Sequence, residues 1–130
     1  MLSRLIDAHP MLFKGRRPPT HSMLPEGWFG VADALLREIE RSVDEEEIHE
    51  LRIACIAPNN GRLDVILSGT YSEALEHLIA SAGSLSEVTC QECGDVPAEF
   101  LDGEVELTLC EFCQFERRLR AQRARSRPYY

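Results

Sequence analysis

Two pairs of cysteines constrain this chain more than any other feature. Cys90 and Cys93 form one C-x2-C pair, Cys110 and Cys113 form another, and sixteen residues separate the pairs. Two cysteines three positions apart at a tight turn can direct both sulfurs at one point, and a second pair completes a tetrahedron. The spacing is typical of four-thiolate zinc sites. The sequence therefore predicts one structural Zn2+ per chain, bound by these four cysteines.

Disulfide bonds and redox chemistry are the competing uses of such cysteines. Disulfides need an oxidising compartment, and the N-terminal residues contain no sustained apolar run of the length that an export signal needs, so we expect a cytoplasmic protein. A redox C-x-x-C would need only one pair on a thioredoxin-like βαβ background, which the pattern does not show. Gly94 favours a metal site over these alternatives. The tight turn that carries Cys90 and Cys93, here called the knuckle, often needs the positive φ that glycine accepts.

The charges are divided unevenly along the chain. Residues 1–116 hold eight of the 14 basic residues and all 22 acidic residues, whereas residues 117–127 hold six arginines and no acid. Such a tail is expected to bind phosphate, to contact a partner protein or to fold back on the acidic body. The candidate contacts are Arg117, Arg118, Arg120, Arg123, Arg125 and Arg127.

The pattern predicts the α+β class, with a helix–β-hairpin–helix layer followed by a C-terminal zinc module and a basic helical tail. Residues 1–25 are expected to form an irregular arm, because four prolines interrupt it and leave room only for a short helix over LSRLIDA. Residues 26–86 would form the core, 87–116 the zinc module and 117–130 the arginine-rich tail. The apolar runs are far too short to span a membrane, so no membrane partner is expected.

The first predicted helix covers PEGWFGVADALLREIERSVDEEE. Its apolar residues recur at steps of three and four and form one stripe, from Trp28 through Leu35 to Val43. The acidic run from Asp44 to Glu47 would lie at the C-terminal end of this helix, where the helix dipole disfavours negative charge. We therefore expect the run to end the helix as a solvated turn.

A β-hairpin is predicted over residues 48–69. Asn60-Gly61 is a strong two-residue turn signal, because both positions tolerate a positive φ. Alternation places Leu51, Ile53 and Cys55 on the buried face, together with Leu63, Val65 and Leu67. Cys55 is thus expected to be a small core residue and not a fifth ligand.

The second predicted helix covers TYSEALEHLIASAG. Thr70 and Glu73 would form a capping box, Gly83 would end the helix, and the buried stripe would contain Leu75, Leu78, Ile79 and Ala82. His77 and the other three histidines are scattered and match no catalytic or metal-binding order. The sequence offers no residue set for catalysis, so we expect a protein that is not an enzyme.

The zinc module is predicted to contain a knuckle, a hairpin turning at Asp102-Gly103, and a helix that carries Cys113 in its first turn. That order is typical of a treble clef, whereas a zinc ribbon, the alternative, would continue as strand after Cys110. The run EFCQFERRLRAQRAR contains good helix formers and no proline, which favours the treble clef.

The segment CQECG…LCEFCQFERR resembles the four-cysteine finger of the DksA/TraR proteins, which bind RNA polymerase. The shared features are Gly94, Leu109 and the stretch Gln114 to Arg117, and they cover about a quarter of the chain. The resemblance implies a metal-binding finger; the long coiled coil of that family is missing here. A weaker resemblance, carried by GWFGVADALLREIE and the cysteine pairs, links the whole chain to small uncharacterised phage and prophage proteins with a zinc module.

Three classes of function remain at this stage. The first is a non-enzymatic module, plausibly phage-encoded, that docks on a host protein, because an acidic surface suits a basic partner. The second is a nucleic-acid-binding regulator that uses the zinc module and the arginines, as GATA-type fingers do with a similar spacing. The third, a degenerate treble-clef nuclease, would need a catalytic histidine, and residues 90–127 contain none. The oligomeric state cannot be read from the sequence.

Overall fold

The computed structural model describes residues 1–14, 18–103 and 106–126. The predicted features at 15–17, Glu104, Val105 and Arg127 lie outside these ranges. The described elements are α1 (Leu2–Ala8), a 3-10 turn (Glu26–Trp28), α2 (Phe29–Ser42), α3 (Glu45–Glu50), β1 (Arg52–Asn59), β2 (Arg62–Ser68), α4 (Glu73–Ser86), β3 (Glu99–Leu101), β4 (Leu107–Leu109) and α5 (Glu111–Ser126). Strands β1 and β2 form one antiparallel sheet and β3 and β4 another, so the α+β class is confirmed.

The first hairpin turns at Asn60-Gly61, as predicted. Both residues have positive φ, 51° and 78°, and the flanking residues Asn59 and Arg62 are paired across the strands. Two consecutive positive φ values give a turn whose twist matches that of the two strands. One face of the hairpin, including Leu63 and Val65, is buried in the main apolar cluster of the protein.

The predicted register of β1 is wrong at its centre. The pairing shifts between Ile53 and Cys55, which is the sign of a β-bulge. A bulge adds one residue to a strand, and so the side chains after it change faces. Ile56 is therefore buried, and Cys55 is only half-buried, with its sulfur 3.9 Å from the carbonyl oxygen of His21.

The acidic run begins a helix instead of ending one. Helix α2 ends at Ser42, and Val43 has an extended conformation. Asp44 then caps α3, because its carboxylate accepts a hydrogen bond of 2.8 Å from the backbone N–H of Glu47. Glu45 to Glu47 thus lie in the first turn of α3, where the helix dipole favours negative charge.

Helix α4 also differs from its prediction at both ends. Ser72, and not Thr70, precedes the first helical residue, and its side chain makes no capping hydrogen bond, so the capping box is not formed. The helix continues through Gly83 to Ser86, whose hydroxyl accepts from the backbone N–H of Leu63 at 2.7 Å. Gly83 faces the guanidinium of Arg62. A Cβ at position 83 would lie 2.7 Å from Nε of Arg62, so a larger residue would force the guanidinium to move. Of the predicted stripe only Leu75 is fully buried.

The N-terminal segment, expected to be an irregular arm, contains α1 and contributes to the core. Leu5, Ile6, Leu12 and Phe13 are buried in the same cluster as Trp28. The backbone N–H of Ile53 donates to the carbonyl of Leu12 at 2.9 Å. The arm therefore covers the hairpin from one side, while α4 packs on β2 and α2 packs on α1 and α4.

His9 joins this N-terminal segment to α2. The side chain is buried, with Nδ1 2.5 Å from Glu40 Oε1 and Nε2 2.7 Å from Asp33 Oδ1. Asp33 also accepts from Arg37 at 2.8 Å. An imidazolium ring can donate to both carboxylates, whereas a neutral ring can donate to only one. The arrangement had no signal in the sequence, because its members are 24 and 31 residues apart.

We predict that His9→Ala destabilises the fold by roughly 3 kcal/mol, because at a partly buried site it leaves Glu40 without its partner and Asp33 with Arg37 alone. Chemical denaturation followed by circular dichroism measures this loss. The control is His49→Ala, since the His49 side chain is exposed, and it should change stability by less than about 0.5 kcal/mol. Equal effects of the two substitutions would show that the contacts of His9 contribute nothing.

Candidate metal centre

The structure brings the four predicted cysteines into one cluster. Their Sγ atoms all lie within 4.8 Å of one another, and those of Cys93 and Cys110 are 3.6 Å apart. Four sulfurs at about 2.3 Å from a central ion would be separated by about 3.8 Å in a tetrahedron. The spacing of the sulfurs thus fits a tetrahedral metal ion. Among the described residues this is the one group of three or more potential ligands found close together.

The backbone directs these sulfurs in two ways. Cys90 and Cys93 lie in a turn after α4 that is closed by the N–H of Gly94, which donates to the carbonyl of Cys90 at 3.0 Å. Gly94 has a φ of 84°, the conformation expected of a knuckle glycine. Cys110 follows β4 and Cys113 lies in the first turn of α5, as predicted.

The thiols of the cluster have unequal acidities. Burial opposes ionisation of Cys90, but backbone N–H groups of Cys110, Cys93 and Glu92 stabilise its thiolate and lower its pKa to about 7. The N–H of Asp95 favours the Cys93 thiolate, yet burial and the neighbouring Cys110 thiol raise that pKa to about 11. Burial and the surrounding thiols also raise the pKa of Cys113. Metal binding must therefore displace protons, and it should weaken as the pH falls.

The second hairpin joins the cysteine cluster to the core. The N–H of Thr108 donates to Gln91 Oε1 at 2.7 Å, and the N–H of Gln91 donates to the carbonyl of Thr108 at 2.9 Å. The hydroxyl of Thr108 donates to the carbonyl of Gly61 at 2.8 Å, across to the turn of the first hairpin. All three bonds are buried or involve buried residues, so they fix β4 relative to both the knuckle and the core.

The start of α2 makes a second connection to the knuckle. Trp28 is fully buried, and its indole N–H donates to the carbonyl of Thr89 at 2.8 Å. The N–H of Gly27 donates to the carbonyl of Gln91 at 2.8 Å. A Cβ on Gly27 would lie 2.1 Å from the carbonyl oxygen of Cys90, so glycine is required for this approach. The apolar stripe predicts that Trp28 is a core residue, but its contact with the knuckle had no signal in the sequence.

The arginines of the tail lie on α5. Arg117 donates to Glu92 through Nε at 2.6 Å and through Nη2 at 2.5 Å, which connects α5 to the knuckle. Arg118, Arg120, Arg123 and Arg125 are exposed. One of the predicted contacts is thus committed to an internal ion pair, and four are accessible to a partner.

A groove lies beside the cysteine cluster, between residues 95–99 and the start of α5. Its volume is about 530 Å3, and its walls include Val96, Pro97 and Phe112. Val96 and Phe112 are 61% and 67% exposed. Asp95, Glu99 and Glu111 line the same groove, which had no signal in the sequence because its walls come from separate segments.

Comparisons of the chain with models of protein families, with curated proteins and with solved structures give no match. The similarities to other zinc proteins therefore remain similarities of motif. Within the described residues, no helix has both the length and the apolar character needed to cross a membrane.

We predict that Cys93→Ser removes the bound metal and unfolds the module around it, because a structural metal site can contribute on the order of 10 kcal/mol to folding. Elemental analysis of protein purified without chelator, together with circular dichroism, measures both effects. Cys55→Ser is the matched control and should keep one metal per chain, since Cys55 lies outside the cluster. Metal-free wild-type protein would contradict the site.

We also predict that Gly27→Ala destabilises the fold by roughly 2–3 kcal/mol, because the added methyl group would overlap the backbone of the knuckle. Gly30→Ala is the control, since no atom lies within 4 Å of a Cβ at that position. In the first turn of α2, alanine should instead stabilise the protein by about 0.4–1 kcal/mol, because it reduces the conformational entropy of the unfolded chain. Thermal unfolding of both variants should therefore show shifts of opposite sign.

Proposed function

We propose that this chain is a non-enzymatic zinc protein that docks on a basic surface of another protein. Four thiolates in a tetrahedral arrangement favour zinc over the harder metal ions, which prefer oxygen ligands. The succession of knuckle, hairpin and helix supports a treble-clef module, because the chain becomes helical directly after Cys110. On this proposal the zinc organises the fold and takes no part in a reaction.

The observation that carries the docking proposal is the acidic surface of α3. Glu45, Glu46, Glu47 and Glu50 are exposed, and none of them forms an ion pair with a residue that the structure describes. Asp44 caps this helix and so holds the carboxylates on a defined element. A fixed group of unpaired charges is suited to a partner of opposite charge and would speed the association.

The resemblance to phage zinc-module proteins suggests what the partner is. We propose a phage-encoded modulator or inhibitor of a cytoplasmic host machine that handles nucleic acid or acts in defence. Such machines carry basic surfaces that bind phosphate, and a surface of fixed carboxylates can occupy them.

A nucleic-acid-binding regulator is the second candidate, and one observation favours it. Arg118, Arg120, Arg123 and Arg125 are exposed on a single helix that begins at the metal site. Four phosphate contacts would make the binding constant fall with salt, with a log–log slope of about −3.6. Asp95, Glu99 and Glu111 oppose this function, because they line the groove at the start of the helix and repel phosphate.

The proposal is tested with a variant that neutralises α3. Glu45, Glu46, Glu47 and Glu50 are replaced by Gln, and Asp44 is kept because its carboxylate caps the helix. The immobilised wild-type chain should capture one or more basic proteins from host extract. The variant should retain at least about tenfold less of these proteins. The control replaces Glu73 and Glu76, the exposed acids in the first turn of α4, by Gln and should leave capture unchanged.

The second candidate is measured with the same proteins. At about 150 mM salt, where the screening length is about 8 Å, we expect no submicromolar binding to duplex or single-stranded nucleic acid. Submicromolar binding that falls steeply with salt, and that is lost on replacing Arg118, Arg120, Arg123 and Arg125 by Ala, would favour the regulator instead.

A further inference from the structure

We propose that α5 pairs antiparallel with α5 of a second copy of this chain, about a two-fold axis. The interface would centre on an apolar stripe formed by Phe112, Phe115 and Leu119. This inference goes beyond the docking function and rests on different residues, since that function depends on the carboxylates of α3.

The stripe follows from the positions of its members. Phe112, Phe115 and Leu119 are spaced by three and four residues, so they lie on one face of α5. Phe112 and Phe115 are 67% and 53% exposed, which is unusual for two aromatic side chains one turn apart. Anchors at positions i, i+3 and i+7 are typical of a helix that binds through one apolar face.

The charges around the stripe are separated along the helix. Asp95, Glu99, Glu111 and Glu116 lie at or near the N-terminal half of α5, and Arg118, Arg120, Arg123 and Arg125 lie in the C-terminal half. None of these eight forms an ion pair with a described residue, whereas Arg117 is already paired with Glu92. Within the described part of the chain, each copy therefore has four carboxylates without an ion pair at one end of the surface and four such arginines at the other.

This separation selects the antiparallel arrangement. When a second α5 runs in the opposite direction, its arginines approach the carboxylates of the first copy, and the reverse holds by symmetry. A parallel arrangement would place like charges side by side, which is destabilising. The surface is thus complementary to itself only in the antiparallel orientation, and the second copy is the partner whose charges are known to match.

Within one chain, the length of the helix keeps the distal arginines apart from the carboxylates at its start. Helix α5 is continuous from Glu111 to Ser126, which corresponds to about 24 Å. Its C-terminal arginines therefore point away from the carboxylates at its start and cannot return to them while the helix is intact. Apart from Glu116 and Arg120, which lie one turn apart on the helix, the carboxylates at the start of α5 and the arginines of its distal half can be paired only between two molecules.

Self-association would also stabilise the distal half of α5. Every side chain from Arg118 to Arg125 is exposed except Leu119, which is half-buried. Helical segments of this length are marginal in water without packing against another element. A second helix would cover the aromatic residues, which are the side chains that contribute most to protein interfaces.

The test measures the mass of the full, metal-loaded chain by sedimentation equilibrium over a range of concentrations. We expect a monomer–dimer equilibrium that weakens with added salt, because charges at the rim of an interface are screened. Phe112→Ser with Phe115→Ser should weaken dimerisation at least tenfold. Since both side chains are exposed, the metal content and circular dichroism of this variant should stay unchanged.

Charge reversal supplies a second readout that does not depend on the aromatic residues. A basic variant, Glu111→Lys with Glu116→Lys, and an acidic variant, Arg120→Glu with Arg123→Glu, should each be monomeric alone. An equimolar mixture should dimerise again, because the new lysines of the basic variant then meet the new glutamates of the acidic variant, and the unchanged arginines of the first meet the unchanged carboxylates of the second.

Three outcomes would overturn the inference. One is a wild-type chain that stays monomeric at several hundred micromolar. Another is a dimer that the two serine substitutions leave intact. The last is a dimer that persists in the basic variant but is lost when the α3 glutamates are replaced by Gln. That result would show that the arginines bind α3 of another copy instead of the carboxylates at the start of α5. Loss of host-protein capture with dimerisation intact would count only against the docking function.

Discussion

The approach of two backbones, that of Gly27 and that of the knuckle around Cys90, is the contact on which the arrangement of this protein depends. It is possible only without a Cβ at position 27, and the N–H of Gly27 and the indole of Trp28 both donate to knuckle carbonyls. Because the four cysteines shape the knuckle, the metal site also positions the start of α2. Core and metal site therefore form one structure, although their residues are far apart in the chain.

Features that depend on neighbouring residues could be predicted from the sequence. Asn60-Gly61 specifies its own turn, the cysteine spacing specifies the cluster, and the run after Cys110 has the composition of a helix. The errors concern choices between two local solutions of similar energy. The bulge before Cys55 depends on what packs against β1, and Asp44 could end one helix or begin the next.

The contacts that the sequence did not reveal, in the core and around the metal site, join residues that are distant in the chain. His9 with Glu40, Thr108 with Gly61 and Arg117 with Glu92 are 31, 47 and 25 residues apart. Each of these residue types is common, and only the folded chain shows which copies meet. The pairing of Arg117 also changes the interpretation of the tail, because one of its six arginines serves the fold.

If the four cysteines hold a metal ion, as we propose, the contact at Gly27 would link the stability of the whole protein to the supply of that metal. A ligand that binds only the folded chain stabilises it in proportion to the logarithm of its free concentration. Since the knuckle holds α2 through Gly27 and Trp28, loss of the ion exposes the Trp28 side of the core as well as the cysteines. In a cell with little free metal, a larger fraction of the chain would be unfolded and degraded by proteases. The abundance of the protein would then follow the availability of the metal.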